Sequence, residues 1–234
     1  MRFDFAREKP HRCRPMQVRV TYYLEVLSSW CFWAEPAWAD LKRRYGDRVE
    51  FGWKIALMEP EAYPKSQSQC EWFYRRSGSI VRSLVMLNSG WLEPALGNHP
   101  IPSHVAEAAK DLGIADDRVR LALARAALLE GRKIGRLDES LKAALEGAHL
   151  DGEELGRLAQ SPGVAGRVQK STAEFRALQV SQRPTFLVES DIGDRAVFSG
   201  LVRAEPLAAT IDAMLDDAGA YASWKAHFGD PPGS

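Results

Sequence analysis

The chain has 234 residues, 45% hydrophobic and 26% charged, with 31 basic and 31 acidic side chains. This is a globular balance with enough apolar material for a substantial core. A net charge of zero gives no general reason to expect a nucleic acid partner, and no apolar run approaches the ~20 residues that cross a bilayer, so neither nucleic acid nor membrane is implied.

Residues 1–16, beginning MRFDFAREKPHRCRP, are basic and carry no apolar signal region, and they read as a loose N-terminal tail. Met16 stands directly before the first strand pattern and is an alternative start. In QVRVTYYLEVL, residues 17–27, Val18, Val20, Tyr22, Leu24 and Val26 alternate onto one face, which predicts a strand over 18–26. VEFGWKIAL repeats the pattern and predicts a second strand over 49–57. The helix-length segment between them ends in RRYGDR, whose basic last turn and Gly46 read as a stop. The unit is β-α-β, long enough for a crossover joining parallel strands.

The period then changes for about a hundred residues. CEWFYRRSGSIVRSLVMLNSGW, SHVAEAAKDLG, ADDRVRLALARAALLEG, RLDESLKAALEG and DGEELGRLAQ all read as helical, broken by short Gly and Pro punctuation. After the Pro-Gly pair at 162–163 a further helix runs to about Val180. Strand patterns return near 184–189 and 195–199, separated by the turn DIGD. A closing amphipathic helix carries Leu207, Ile211, Met214 and Leu215 on one face. Neither sheet half buries both faces alone. The organisation is therefore one α/β domain, 17–60 with 166–222, interrupted by a helical insertion over 61–165.

This order, and three local segments, resemble the DsbA-like thioredoxin family, especially its FrnE-like oxidoreductases and 2-hydroxychromene-2-carboxylate isomerases. SSWCFWA, residues 28–34, resembles the family's Cys-Pro-Trp-Cys-Tyr segment. RPTFLV, residues 183–188, resembles its Val-Pro-Thr-Phe segment, and SHVAEAAKDLG a helix of its insertion. The resemblance spans roughly residues 17–218. It implies a thioredoxin fold with an all-helical insertion and a cis bond at Arg183–Pro184 beside the site.

Two registers are open at SSWC. Reading Cys31 as the first cysteine of the family pair leaves Ala34 at the second. Reading it as the second matches Trp30, Cys31 and Phe32 together, and is preferred. Ser28 then stands where the nucleophilic cysteine belongs, at the expected exposed entrance of a helix, with Cys31 one turn behind. The isomerase and kappa-class glutathione transferase branch carries serine at that position, whereas Cys31 belongs to the dithiol pattern. The resemblance thus implies thiol–disulfide oxidoreductase or isomerase chemistry working through Cys31. One alternative is a glutathione-dependent isomerase or transferase using Ser28; another is a binding module without catalysis.

Ser28 also fits as a plain helix cap, and Cys31 as a small buried hydrophobe. Ser29, Trp30, Arg183, Pro184 and Thr185 are the expected substrate-contacting residues, Arg183 either holding a carboxylate, favouring a nearby thiolate or lying solvated. Phe32 and Trp33 are expected in the core. Glutathione is the implied co-substrate, and no tightly bound cofactor is expected. The partner is a peptide or small-molecule thiol or disulfide, and a homodimer is compatible with the pattern. His99, His104 and His149 are scattered at no metal-ligand spacing and read as surface residues. Three cysteines, Cys13, Cys31 and Cys70, at no disulfide-scaffold spacing suit a reducing cytoplasm. A Cys31–Cys70 pair would need the insertion to bring their Cα atoms within about 7 Å.

Overall fold

The computed structural model describes residues 17–97 and 99–230; the expected tail and Cys13 lie outside them. Two strands, β1 (Val18–Leu24) and β2 (Val49–Ile55), flank the first helix, α1 (Ser29–Tyr45). They pair in parallel, Val18 against Val49 through Leu24 against Ile55. The later strands β3 (Thr185–Ser190) and β4 (Arg195–Ser199) complete a four-stranded sheet ordered β2-β1-β3-β4. β3 runs antiparallel to both neighbours, which places Tyr22 opposite Phe186 and Phe186 opposite Phe198.

Between the strand pairs lie α2 (Gln67–Val81), α3 (Ile101–Ala109), α4 (Arg118–Leu128), α5 (Leu137–Gly147) and α6 (Gly152–Ala159), then α7 (Pro162–Ala177); α8 (Glu205–Phe228) closes the chain. This is a mixed α/β thioredoxin fold with a helical insertion. The division expected at 165/166 falls inside α7, which is continuous from its N-cap Ser161. That helix lies along β2, with Ser171 donating to the Ile55 carbonyl and Lys54 paired to Glu174 at 2.6 Å.

Central strand β1 is covered on both faces, so its alternation breaks down after Arg19. One face sends Val18, Val20, Tyr22 and Leu24 into the main core with Trp38 and Leu41 of α1, Phe186 of β3, and Leu207 and Ile211 of α8. The other sends Tyr23 against Phe175 of α7 and Leu187. Tyr22 stacks on Phe186 with ring centroids 4.7 Å apart. The same core continues into the insertion through Val105, Leu123, Leu128 and Leu155, so domain and insertion share one interior.

The helix expected to run on through Leu84 to Trp91 stops at Val81. Arg82 takes a left-handed φ of 54°, and the Ser83 amide closes back onto the Gly78 carbonyl. Leu84, Val85 and Met86 are apolar but exposed, so a helical period read from them was misleading. His99 is also not at the surface: it is buried edge-on between the rings of Tyr63 and Trp91. No described helix is long and apolar enough to cross a membrane.

Candidate active site

β1 ends at Leu24, and Glu25–Ser28 form the loop into α1. The Ser28 amide donates to the Glu25 carbonyl at 3.0 Å, closing a tight turn. Ser28 is the helix N-cap: its backbone is extended and its Oγ accepts from the Cys31 amide at 3.3 Å. An N-cap faces unpaired amides at the positive end of a 17-residue helix. Pro36 withdraws one donor from α1 further along, without ending the helix.

Cys31 lies one turn in, 3% exposed, with the Glu25 amide 3.5 Å from its Sγ. Burial pushes its thiol up to about 11, and the hydrogen bonds from Glu25 and Ser28 only partly oppose this. At neutral pH it is a thiol, and only a thiolate attacks. Cys31 and Cys70 are both free and buried. Cys70 sits in α2 beside Tyr74, its thiol likewise pushed up to about 11 by burial.

Ser28 was expected to be exposed. Instead it is 8% exposed, and Met58, Ala62 and Pro64 of the loop after β2 and Arg76 of α2 line the space beside it. Together they form a cleft with two lobes. The larger, about 430 Å³, is lined by Ser28, Trp30, Met58, Arg76, Arg183 and Gly200, among others. The smaller, about 150 Å³, shares Ser28, Trp30, Met58 and Arg76 and reaches Phe73 and Trp91 of the insertion. A larger depression of about 720 Å³ opens at the far end of α8, around Gln17, Ile192 and Trp224. It touches neither the SSWC segment nor the proline loop, so volume alone is not the guide.

The structure brings Ser28, Ser29, Trp30 and Arg183 to one cleft. The Arg183–Pro184 bond is cis. Pro184 and Thr185 are buried behind the wall and do not line it. The Pro184 carbonyl accepts from the Gly200 amide, and the Thr185 hydroxyl donates to the Gln182 carbonyl at 2.7 Å. Arg183 is half-buried and lines the larger lobe rather than lying solvated. Its guanidinium donates to the Ala56, Leu57 and Ser181 carbonyls and lies 4.3 Å from the Phe175 ring centroid. It ties the proline loop to the exit of β2, and burial lowers its affinity for its proton. Phe32 and Trp33 are half-buried and pack edge to face, with the Trp33 indole donating to Ser77 of α2.

Two buried networks escape a reading of the sequence. Glu25 is fully buried, and its carboxylate accepts from Ser103 of α3 at 2.9 Å and from the Met58 amide at 3.3 Å. Burial raises its pKa above the usual carboxylate range, against these hydrogen bonds. On the other side of α1, Arg120 of α4 is 2% exposed and forks onto Glu35 at 2.6 and 3.0 Å while reaching Asp117 at 2.7 Å. The Tyr22 hydroxyl donates to the Cys31 carbonyl at 2.9 Å and approaches Glu35. The only sequence signal for either network is a charged residue inside an otherwise apolar segment. Among the described residues, no three His, Cys, Asp or Glu side chains cluster as a metal set.

A family model described as the DSBA-like thioredoxin domain matches residues 19–212. No curated protein sequence matches the chain. Among solved structures, the cytosolic disulfide reductase DsbM from Pseudomonas aeruginosa is similar at a TM-score of 0.67 and 18% identity, over 85% of this chain and 98% of that one. Its structure with GSH gives 0.65 and 17%, over 85% and 99%. Pseudomonas aeruginosa DsbA gives 0.57 and 16%, over 90% and 88%. At these identities the likeness concerns the fold.

Proposed function

Because the chain belongs to the DSBA-like thioredoxin-domain family, we propose that it performs thiol chemistry at the Ser28 cleft with a sulfur that it does not itself supply. Glutathione is the co-substrate, and the reaction is of the isomerase or transferase kind on a small electrophilic organic molecule. One observation carries this reading. Ser28, the cap of α1, lines both lobes of the cleft with its Oγ accepting from the Cys31 amide, whereas Cys31 lines neither lobe and is 3% exposed.

A thiolate at that point gains the Ser28 hydroxyl and the positive end of α1, so it is held ionised without a base. Trp30 and Met58 provide an apolar wall against which a small substrate lies. Thiol–disulfide exchange through Cys31 alone is the second reading, and its half-exposed neighbour Trp30 favours access near that residue. It requires Cys31 to become an exposed thiolate, against both its burial and its raised pKa. The reducing, glutathione-rich cytoplasm is the setting this function requires.

The test is glutathione binding by calorimetry, with attachment determined by intact mass under non-reducing conditions. Reversible, non-covalent binding that weakens in Ser28→Ala and survives in Cys31→Ala supports the proposal. A mixed disulfide on Cys31, with binding indifferent to Ser28→Ala, supports the single-cysteine reading instead. No binding at all leaves a module without this chemistry.

A further inference from the structure

Resting on that reading, we infer that Arg76 of α2 is the specificity residue of the cleft, taking a carboxylate of the thiol co-substrate and so selecting an anionic thiol over a neutral one. Arg76 lines both lobes. The residues lining them include two arginines and no acid. Arg183 is already engaged by three backbone carbonyls. Arg76 pairs with no carboxylate within 4 Å among the described residues, although its neighbour Arg75 faces Glu71 and most of the described arginines are matched.

Its position is also held. Trp72 and Phe73 stand one turn earlier on α2, and the Arg76 guanidinium lies 5.0 and 5.4 Å from their ring centroids. Stacking on rings leaves the N–H edge of a guanidinium open to hydrogen bonding. A planar fork with its edge free, facing a cleft without an acid, matches a carboxylate bidentately. Ser28, at the α1 N-terminus, lines the same two lobes as Arg76. The ligand class is therefore a thiol that carries its carboxylate away from its sulfur, with the sulfur at Ser28 and the carboxylate at Arg76.

The test measures binding of three probes, glutathione, S-methylglutathione and glutathione diethyl ester, to the native chain and to Arg76→Ala, Arg76→Lys and Ser28→Ala. Arg76 is exposed, so its variants are expected to fold, and a thermal melt checks this. Glutathione and S-methylglutathione should each weaken by roughly tenfold or more in Arg76→Ala, and by less in Arg76→Lys. The diethyl ester should bind the native chain and Arg76→Ala alike. Equal loss for the ester, or no loss for glutathione, overturns the assignment of Arg76 and leaves the Ser28 proposal standing. Loss in Arg76→Ala with none in Ser28→Ala does the reverse. Failure of every probe on the native chain overturns both.

Discussion

Ser28→Cys should rebuild a redox pair. Positions 28 and 31 span the cap and first turn of α1, and the contact from Ser28 Oγ to the Cys31 amide shows that the side chain at 28 already turns back over that turn. Residues one helical turn apart lie about 5 Å apart, inside the Cα range that a disulfide tolerates. Closing so short a loop restricts the unfolded chain by only about 2 kcal/mol before strain, so the bond should be readily reducible. The new thiol lies at the helix end and should titrate below the ~8.5 of a free cysteine. Cys31, buried and protonated, would act as the resolving partner. Ala34→Cys has the same spacing from Cys31 on the other side. Ala34, however, is fully buried, so the new sulfur meets no substrate and crowds the core by about 1–3 kcal/mol. The assay is insulin reduction with a free-thiol count. The native chain should keep its three thiols and show no dithiol turnover. Oxidised Ser28→Cys should lose two thiols and gain turnover. Turnover in Ala34→Cys with none in Ser28→Cys would show that Cys31 is the first cysteine of the pair and that the register is wrong.

Two further outcomes follow from the buried titratable groups. Arg120→Met strands Glu35 and Asp117 in the interior and should cost about 3–5 kcal/mol in urea unfolding; adding Glu35→Gln should recover part of that, and full additivity of the two changes would contradict the network. The Cys31 thiol has a folded value of about 11, above its unfolded value, so its contribution is fully present below about pH 8.5 and is lost as pH rises toward 11, by up to roughly 3 kcal/mol. Cys31→Ala should flatten that alkaline limb relative to the native chain, and matching urea midpoints from pH 8 to 10 would rule the assignment out.

The architecture was legible where the period was strong. Alternation in 18–26 and 49–57 located β1 and β2 to within two residues, and the change to helical spacing located the insertion. It failed at Leu84–Met86, because an apolar run says nothing about whether a neighbour exists to cover it. The site was legible only along the chain. Ser28 as a cap follows from its place before an apolar helix. Its burial does not, because the residues that line the cleft with it, Met58 and Arg76 among them, come from other segments. The intramolecular partners of Arg183 were not legible, because the carbonyls of Ala56 and Leu57 are over a hundred residues away and carry no side-chain signature. Glu25 was absorbed into the strand pattern for the same reason: Ser103 and Met58, which make its burial tolerable, are invisible from EVL.

These long-range contacts bear on what the insertion is for. An enzyme that supplies its own cysteine pair sets much of its chemistry within one helical turn. On the proposed reading, with serine at the helix cap, the sulfur arrives from outside and its orientation falls to whatever surrounds it. The insertion is accordingly fastened on two sides of α1. Glu25 joins the Ser28 loop to α3 and to Met58, and Arg120 joins α4 to Glu35, one turn beyond Cys31. Hydrophobic packing would suffice to hold two helical layers together, but it tolerates sliding. Buried, directional pairs penalise a shift of even one ångström, because each leaves a polar group unmatched. A further directional contact, the Trp33 indole donating to Ser77, ties α1 to α2 and so bears on the distance between Ser28 and Arg76. That distance is the quantity a cleft must hold constant if it is to accept a thiol by its sulfur and its carboxylate together.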